Sequence, residues 1–296
     1  MRDGQLYGIG DLLRRGQHAH ERVWVELVGP DLTPVQYAVL LTVGRKPESS
    51  QQQIGDETSI DKSTVADVLH RLAAKGLVEL ARDPADGRRR TVLLSAAGQS
   101  TVVAASPGVL QVGDRFLRGL SFMDGETLVR LLRLVAYQGA PPEPDAPGPR
   151  FPGWPLRLPV LHLDMAFGHL IRRAQQVYGA LWREAADQEV TPVQFDAMAV
   201  LADLGVADQG EWAERSSLDP ATATSLVTRL KRRGVVEHTA HEVDRRRKQL
   251  QLTDQGERVL DKARGVAVTV EQEILRPLSG GEQAAFVSLL REVRLA

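Results

Sequence analysis

The stretch Ile60–Leu80, IDKSTVADVLHRLAAKGLVEL, and the segment DPADGRRRTVLLSAAG that runs from Asp83 to Gly98 decide the fold. Apolar Val65, Val68, Leu69 and Leu72 recur at helical spacing, and Gly76 supplies the stop. The chain from Leu77 to Leu94 then alternates as two strands around a turn containing Pro84 and Gly87. The same pattern is written again as LDPATATSLVTRLKRRGVVEH from Leu218 and VDRRRKQLQLTDQG from Val243.

Working outward, SSQQQIGDETSI from Ser49 carries a capping box, Ser50 with Gln53, and Asp208 with Glu211 take those places in the second copy. Further upstream TPVQY begins at Thr33 and TPVQF at Thr191, each a capped helix start with proline at the first helical position. The offset, 191 − 33 = 158 residues, holds without a gap over most of the chain. Leu12, Arg14 and Arg15 meet Leu170, Arg172 and Arg173, Trp24 meets Trp182, and Gly98 meets Gly256. One domain is therefore present twice, in residues 1–138 and 160–296. Residues 139–159 between them hold eight of the chain's 16 prolines, so they cannot continue a helix. They predict a polyproline-like linker reaching ~65 Å, with Phe151 and Trp154 available to pack on a domain.

Each copy opens on a long amphipathic helix, through Leu6, Ile9, Leu13, Val23, Trp24 and Leu27 or through Phe167, Leu170, Ala174, Val177 and Leu181. Ser95 and Thr253 restart helices after the strands, and Ser121 and Ser279 cap the last ones. The expected order is helix, helix, short helix, tight turn, helix, β-hairpin, helix, helix. This is a mainly α chain with small β-wings (α+β), and a short helix, turn and helix followed by a basic hairpin is a winged helix-turn-helix.

Composition narrows the chemistry. No apolar run approaches the ~20 residues a membrane span needs, and no signal-like core opens the chain, so a cytoplasmic location is expected. The absence of cysteine excludes disulfides, thiolate metal sites and thiol nucleophiles. A net charge of −1 gives no global attraction to nucleic acid, so such binding must come from local basic patches. His18 with His20, and His238 with His241, lack a third ligand, and no metal or cofactor is expected. The string LSGGEQ from Leu278 has no phosphate-cradling partner loop and reads as a helix start, and no catalytic triad or nucleophile elbow is visible.

On IDKSTVADVLHRLAAKGLVEL with DPADGRRRTVLLSAAG, and on their second-copy counterparts, the sequence resembles the MarR family of bacterial transcriptional regulators over nearly its whole length. That resemblance implies two fused halves of a normally homodimeric regulator, so that one chain acts as an intramolecular pseudo-dimer on a double-stranded operator. A winged-helix interaction scaffold is the alternative, although a scaffold has no need of wing arginines in both copies.

The resemblance places the second helix of each motif in the major groove, where base edges are distinguishable. Its candidate readers are Lys62, Ser63, Thr64, Asp67, His70 and Arg71, and in the second copy Ala221, Thr222, Thr224, Ser225, Thr228 and Arg229. Arg88, Arg89 and Arg90 and Arg245, Arg246, Arg247 and Lys248 are the wing cations, suited to phosphate and a narrow minor groove. The family's Asp-x-Arg maps onto Asp86 with Arg88 and Asp244 with Arg246. A small aromatic effector is implied as well, with His20, Trp24 and Tyr37, and Tyr178, Trp182 and Phe195, as candidate crevice residues.

Overall fold

The computed structural model describes residues 8–82, 90–142, 161–186, 190–240 and 248–293. The first copy contains α1 (Ile9–Leu27), α2 (Pro34–Arg45), β1 (Ser49–Ser50), α3 (Gln51–Thr58), α4 (Lys62–Ala74), β2 (Val78–Arg82), β3 (Arg90–Leu94), α5 (Ala96–Leu117) and α6 (Phe122–Ala136). A single 3₁₀ turn, Leu163–Met165, precedes the second copy. That copy contains α7 (Phe167–Ala185), α8 (Pro192–Leu204), β4 (Val206–Asp208), α9 (Gln209–Arg215), α10 (Pro220–Arg232), β5 (Val236–Ala240), β6 (Lys248–Leu252), α11 (Asp254–Leu275) and α12 (Gly280–Glu292).

The local signals act as their chemistry requires. Thr33 and Thr191 form complete capping boxes with Gln36 and Gln194, and Ser50 does so with Gln53. Asp208 is the N-cap of α9 but makes no side-chain cap bond, so the box expected with Glu211 does not form. Two carboxylates at those positions repel, whereas Ser and Gln complement each other. The helix α4 ends in a Schellman motif, with Gly76 at φ +68° donating to the Ala73 carbonyl and Leu77 donating to that of Leu72. Gly234, at φ +70°, closes α10 in the same way.

Each hairpin gains a third strand that alternation did not announce. The order is β1-β3-β2 in one sheet and β4-β6-β5 in the other, all antiparallel. Ser49 pairs with Val92 and Val206 with Gln251, which ties the start of α3 and α9 to the base of the wing. Two or three residues are too short for a period to show.

Packing divides the chain into two compact units, unit 1 with residues 1–15 and 175–279 and unit 2 with residues 16–174 and 280–296. Unit 1 thus contains the opening turns of α1, the rest of α7 and α8–α11, and unit 2 contains the opening turns of α7, the rest of α1, α2–α6 and α12. In unit 1, Trp212, Met198, Leu226, Leu230 and Leu260 form the core, and the Trp212 indole donates to the Ala197 carbonyl at 2.8 Å. In unit 2, Leu40, Ile54, Leu69, Leu72, Leu128 and Leu131 are fully buried. Burial of each such side chain stabilises by ~1.5–3 kcal/mol. The inward faces of α4 and α10, Val65, Val68, Leu69 and Leu72 and Ala223, Leu226, Val227 and Leu230, lock these helices to their cores.

Candidate nucleic-acid interface and effector crevice

The outward face of α4 is set by its cap. Asp61 accepts from the backbone N–H groups of Ser63 and Thr64, both at 3.0 Å, and from their hydroxyls at 2.5 and 2.6 Å. Those hydrogen bonds hold its carboxyl far below the usual carboxylate range. Lys62, Ser63, Thr64, Asp67, His70 and Arg71 are all exposed on this face. The Ser63 and Thr64 hydroxyl protons are committed to Asp61, which leaves their oxygen lone pairs as acceptors.

On α10, Asp219 accepts from the N–H groups of Ala221 and Thr222 at 3.0 Å each, and bonds from Thr222 and Ala221 hold its carboxyl down as well. Ala221, Thr224, Ser225, Thr228 and Arg229 are exposed and Thr222 is half-buried. Thr224 and Thr228 return their hydroxyl protons to the carbonyls of Pro220 and Thr224, at 2.8 and 2.9 Å. Arg90 and Lys248 open β3 and β6. Arg88, Arg89, Arg245, Arg246 and Arg247, with Asp86, Asp244, His241, Phe151 and Trp154, lie outside the described residues.

An arginine steadies the turn ahead of each reading helix. In unit 2, Arg172 on α7 donates to the carbonyls of Thr58 and of Ser59 (2.9 Å), the C-terminal end of α3. Ser59 is left-handed there, at φ +54°. Its neighbour Arg173 donates to the Ser59 hydroxyl and the Ala136 carbonyl and lies 4.1 Å over the Tyr137 ring. In unit 1, Arg14 donates to the carbonyls of Ser216 (2.9 Å) and Ser217 (3.2 Å), and Arg15 to that of Arg215. A cation on orphan carbonyls is the favoured finish of a helix. The repeat alignment contained both arginine pairs but not this task, because the contact lies about 115 residues away in one unit and about 200 in the other.

The charges around these arginines differ. Arg14 is ion-paired with Asp11 and lies 3.6 Å from Asp196. Burial, and then the neighbouring Asp11, push Asp196 up to about 7 against the pull of Arg14. Asp11 is also raised, by burial. Arg172 instead meets the Nδ1 of His169 at 3.2 Å, and His169 Nε2 lies 3.3 Å from the Tyr137 hydroxyl. Burial and then Arg172 push His169 down to about 3 and His20 to about 4, so both imidazoles are neutral at pH 7. With Nδ1 accepting from Arg172, His169 carries its proton on Nε2 and donates to Tyr137.

Unit 2 holds a partly open cavity of about 240 Å³ on which His20, Trp24 and Tyr37 converge, together with Phe116, His169 and Arg172. His20 lies 5.8 Å from Trp24 and 5.9 Å from Phe116, ring centre to ring centre, and its Nδ1 has no hydrogen-bond partner. Tyr37 bonds Ser106 at 2.9 Å, and burial pushes its phenol up to about 12. Trp24 anchors the approach to α2 by donating to the Leu32 carbonyl. In unit 1, Tyr178, Trp182 and Phe195 instead pack on one another, with centres 6.1 and 5.3 Å apart, and Trp182 donates to the Val190 carbonyl. Among the described residues, no group of three His, Cys, Asp or Glu side chains could hold a metal, and no helix is long and apolar enough to cross a membrane.

Comparison with known proteins identifies the family of the sequence. Models of the MarR family match residues 31–89 and, separately, residues 190–248. The HTH-type transcriptional repressor NicR of Pseudomonas putida is 33% identical over 127 residues, 43% of this chain and 80% of its own. The transcriptional regulator HosA of Escherichia coli is 39% identical over 104 residues, 35% of this chain and 77% of its own. Among solved structures, the PcaV regulator of Streptomyces coelicolor, crystallised with its natural ligand, is 37% identical, with a TM-score of 0.40, over 43% of this chain and 89% of its own. The chain belongs to the MarR family of transcriptional regulators, DNA-binding proteins and not enzymes, and it carries the family's domain twice.

Proposed function

We propose that the chain is a repressor that binds one pseudo-palindromic operator as a single-chain pseudo-dimer and is released by a small aromatic effector. The copies at 1–138 and 160–296 each supply one reader, α4 or α10, to a major groove. Arg88 and Arg246, with their neighbours Arg89, Arg90, Arg245 and Arg247, grip phosphate and minor groove. The observation that carries this reading is a recurrence. One polypeptide presents two helices that each have an aspartate cap, a buried stripe at matching positions and a polar outward face. Fusion holds the second reader at high effective concentration, so dimerisation no longer limits binding. It also lets the two readers diverge.

Fluorescence anisotropy on the chain's own upstream DNA, with unrelated competitor, tests the reading. Saturable binding that survives competitor is expected. Arg88→Ala and Arg246→Ala should each lower the slope of log affinity against log salt by about one. Binding no tighter than to random DNA would reject a specific regulator, and unchanged slopes would reject the wing assignment. For the effector, calorimetry against a panel of neutral and charged aromatics should return at least one binder that lowers operator affinity. No binder in the panel would reject the effector.

A further inference from the structure

The offset of 158 residues superposes two polar frameworks around Arg14 and Arg172, and two acidic positions of one are not acidic in the other. Arg14 corresponds to Arg172, Asp11 to His169, and Asp196 to Ala38. In unit 1 the arginine is neutralised by two carboxylates, those of Asp11 and Asp196. In unit 2 one carboxylate has become an imidazole and the other a methyl group that lines the cavity. Among the described residues, no carboxylate ion-pairs with Arg172, whose partners are two carbonyls and the His169 ring.

We propose that Asp196 is a built-in ligand. Its carboxylate takes in unit 1 the place that an external organic anion with a flat apolar body takes on Arg172 in unit 2, so the chain has one effector site and not two. The proposal rests on the effector reading above and adds that one copy carries its own counter-anion, so that the chain takes one effector and not two.

Three observations converge on an anion of that kind. Arg172 is half-buried in a largely apolar surround with only neutral acceptors among the described residues, and a partly desolvated cation without a counter-charge is costly. A bidentate carboxylate is the partner a guanidinium fits best. The cavity is also large enough, because an apolar cavity of about 150 Å³ already holds benzene, whereas this one measures about 240 Å³. Its aromatic walls, Trp24, Tyr37, Phe116 and Phe167, suit a ring. Finally His20, only 6% exposed, leaves Nδ1 unpartnered at the cavity wall, available to a polar substituent of the ring.

The route to DNA is short. Arg172 both lines the cavity and holds the carbonyls of Thr58 and Ser59, two residues before the Asp61 cap of α4. An anion competing for the guanidinium loosens that turn and with it the reading helix of the first copy. The corresponding grip of Arg14 on Ser216 and Ser217 is shielded from external anions by Asp11 and Asp196.

Titration calorimetry of the full chain, with benzoate and phenol as probes, tests this. The wild type should bind one benzoate per chain, and phenol at least tenfold more weakly. Ala38→Asp should abolish benzoate binding by placing a carboxylate on Arg172, and Asp196→Ala should create a second benzoate site. Should Asp196→Ala fail to fold, Ala38→Asp decides alone. Two benzoates per wild-type chain, unaltered binding in Ala38→Asp, or no benzoate binding at all would overturn the proposal. Benzoate failing where a neutral aromatic of the panel binds would sink this proposal and leave the effector reading standing.

Discussion

Around Arg14 and around Arg172 the molecule solves one problem twice, with different counter-charges. Each arginine clasps the helix end that leads into a reading helix. Around Arg14 the charge is balanced internally by Asp11 and Asp196, and around Arg172 it is met by neutral His169 beside a cavity. The lesson is that duplication preserved the mechanical joint and released the electrostatics. A homodimer cannot do this, because any substitution appears in both halves.

The largest effect expected from this difference is on stability. Arg14→Ala leaves Asp196 without its cation and Asp11 with Arg15 alone, and should cost ~3–5 kcal/mol. Arg172→Ala strands only carbonyls and should cost ~1–3 kcal/mol. Urea denaturation of both variants measures the gap, and equal losses would show that the carboxylates around Arg14 do not set it apart.

Next comes an opposite response to pH, on the order of a few kcal/mol in total. His20 and His169 have folded pKa values of about 4 and 3, below the ordinary 6.5. The unfolded chain therefore binds their protons first, and unit 2 loses stability as pH falls from about 6.5 toward 4. Asp196 has a folded value of about 7, above the ordinary 3.8. Its contribution is complete below the ordinary value and is lost as pH rises through 7. Acid should thus loosen unit 2 and tighten unit 1. Hydrogen exchange at pH 5 and pH 7.5 resolves the units separately, and Asp196→Asn should flatten the response of unit 1 alone.

A smaller effect concerns the glycines under the paired rings. A Cβ at Gly168 would collide with the His20 ring, and one at Gly10 with that of Tyr178. Each Gly→Ala change should cost ~1–3 kcal/mol by overpacking, with the Gly168 variant also weakening benzoate. Thermal denaturation that leaves both variants at the wild-type midpoint would remove this packing from the account. The smallest effect is on sequence preference. Lys62, Asp67 and His70 stand where the second reader has Pro220, Ser225 and Thr228, so binding-site selection should return unequal half-sites. Perfectly symmetric half-sites would contradict the divergence of the readers.

Much of this was legible in the sequence, and the reasons are local. The three Thr- or Ser-Gln boxes, the glycine stops of α4 and α10 and the buried stripes of both helices follow from residues within a few positions of one another. The clustering of His20, Trp24 and Tyr37 was visible as aromatic spacing on two helices. What escaped was non-local or too short. The strands β1 and β4 have no period to detect. The grips of Arg14 and Arg172 join distant parts of the chain. Asp196 stood in plain view, as the one acid after TPVQF where TPVQY is followed by alanine, but only its burial beside Arg14 gives that exchange a meaning.

The central claim is that one chain carries both readers of one operator. Sedimentation of the protein on a fluorescent operator duplex at nanomolar concentration tests it most directly. The account predicts a complex of one chain per duplex whose affinity does not depend on protein self-association. Two chains required per duplex, or a second-order dependence of binding on protein concentration, would contradict it.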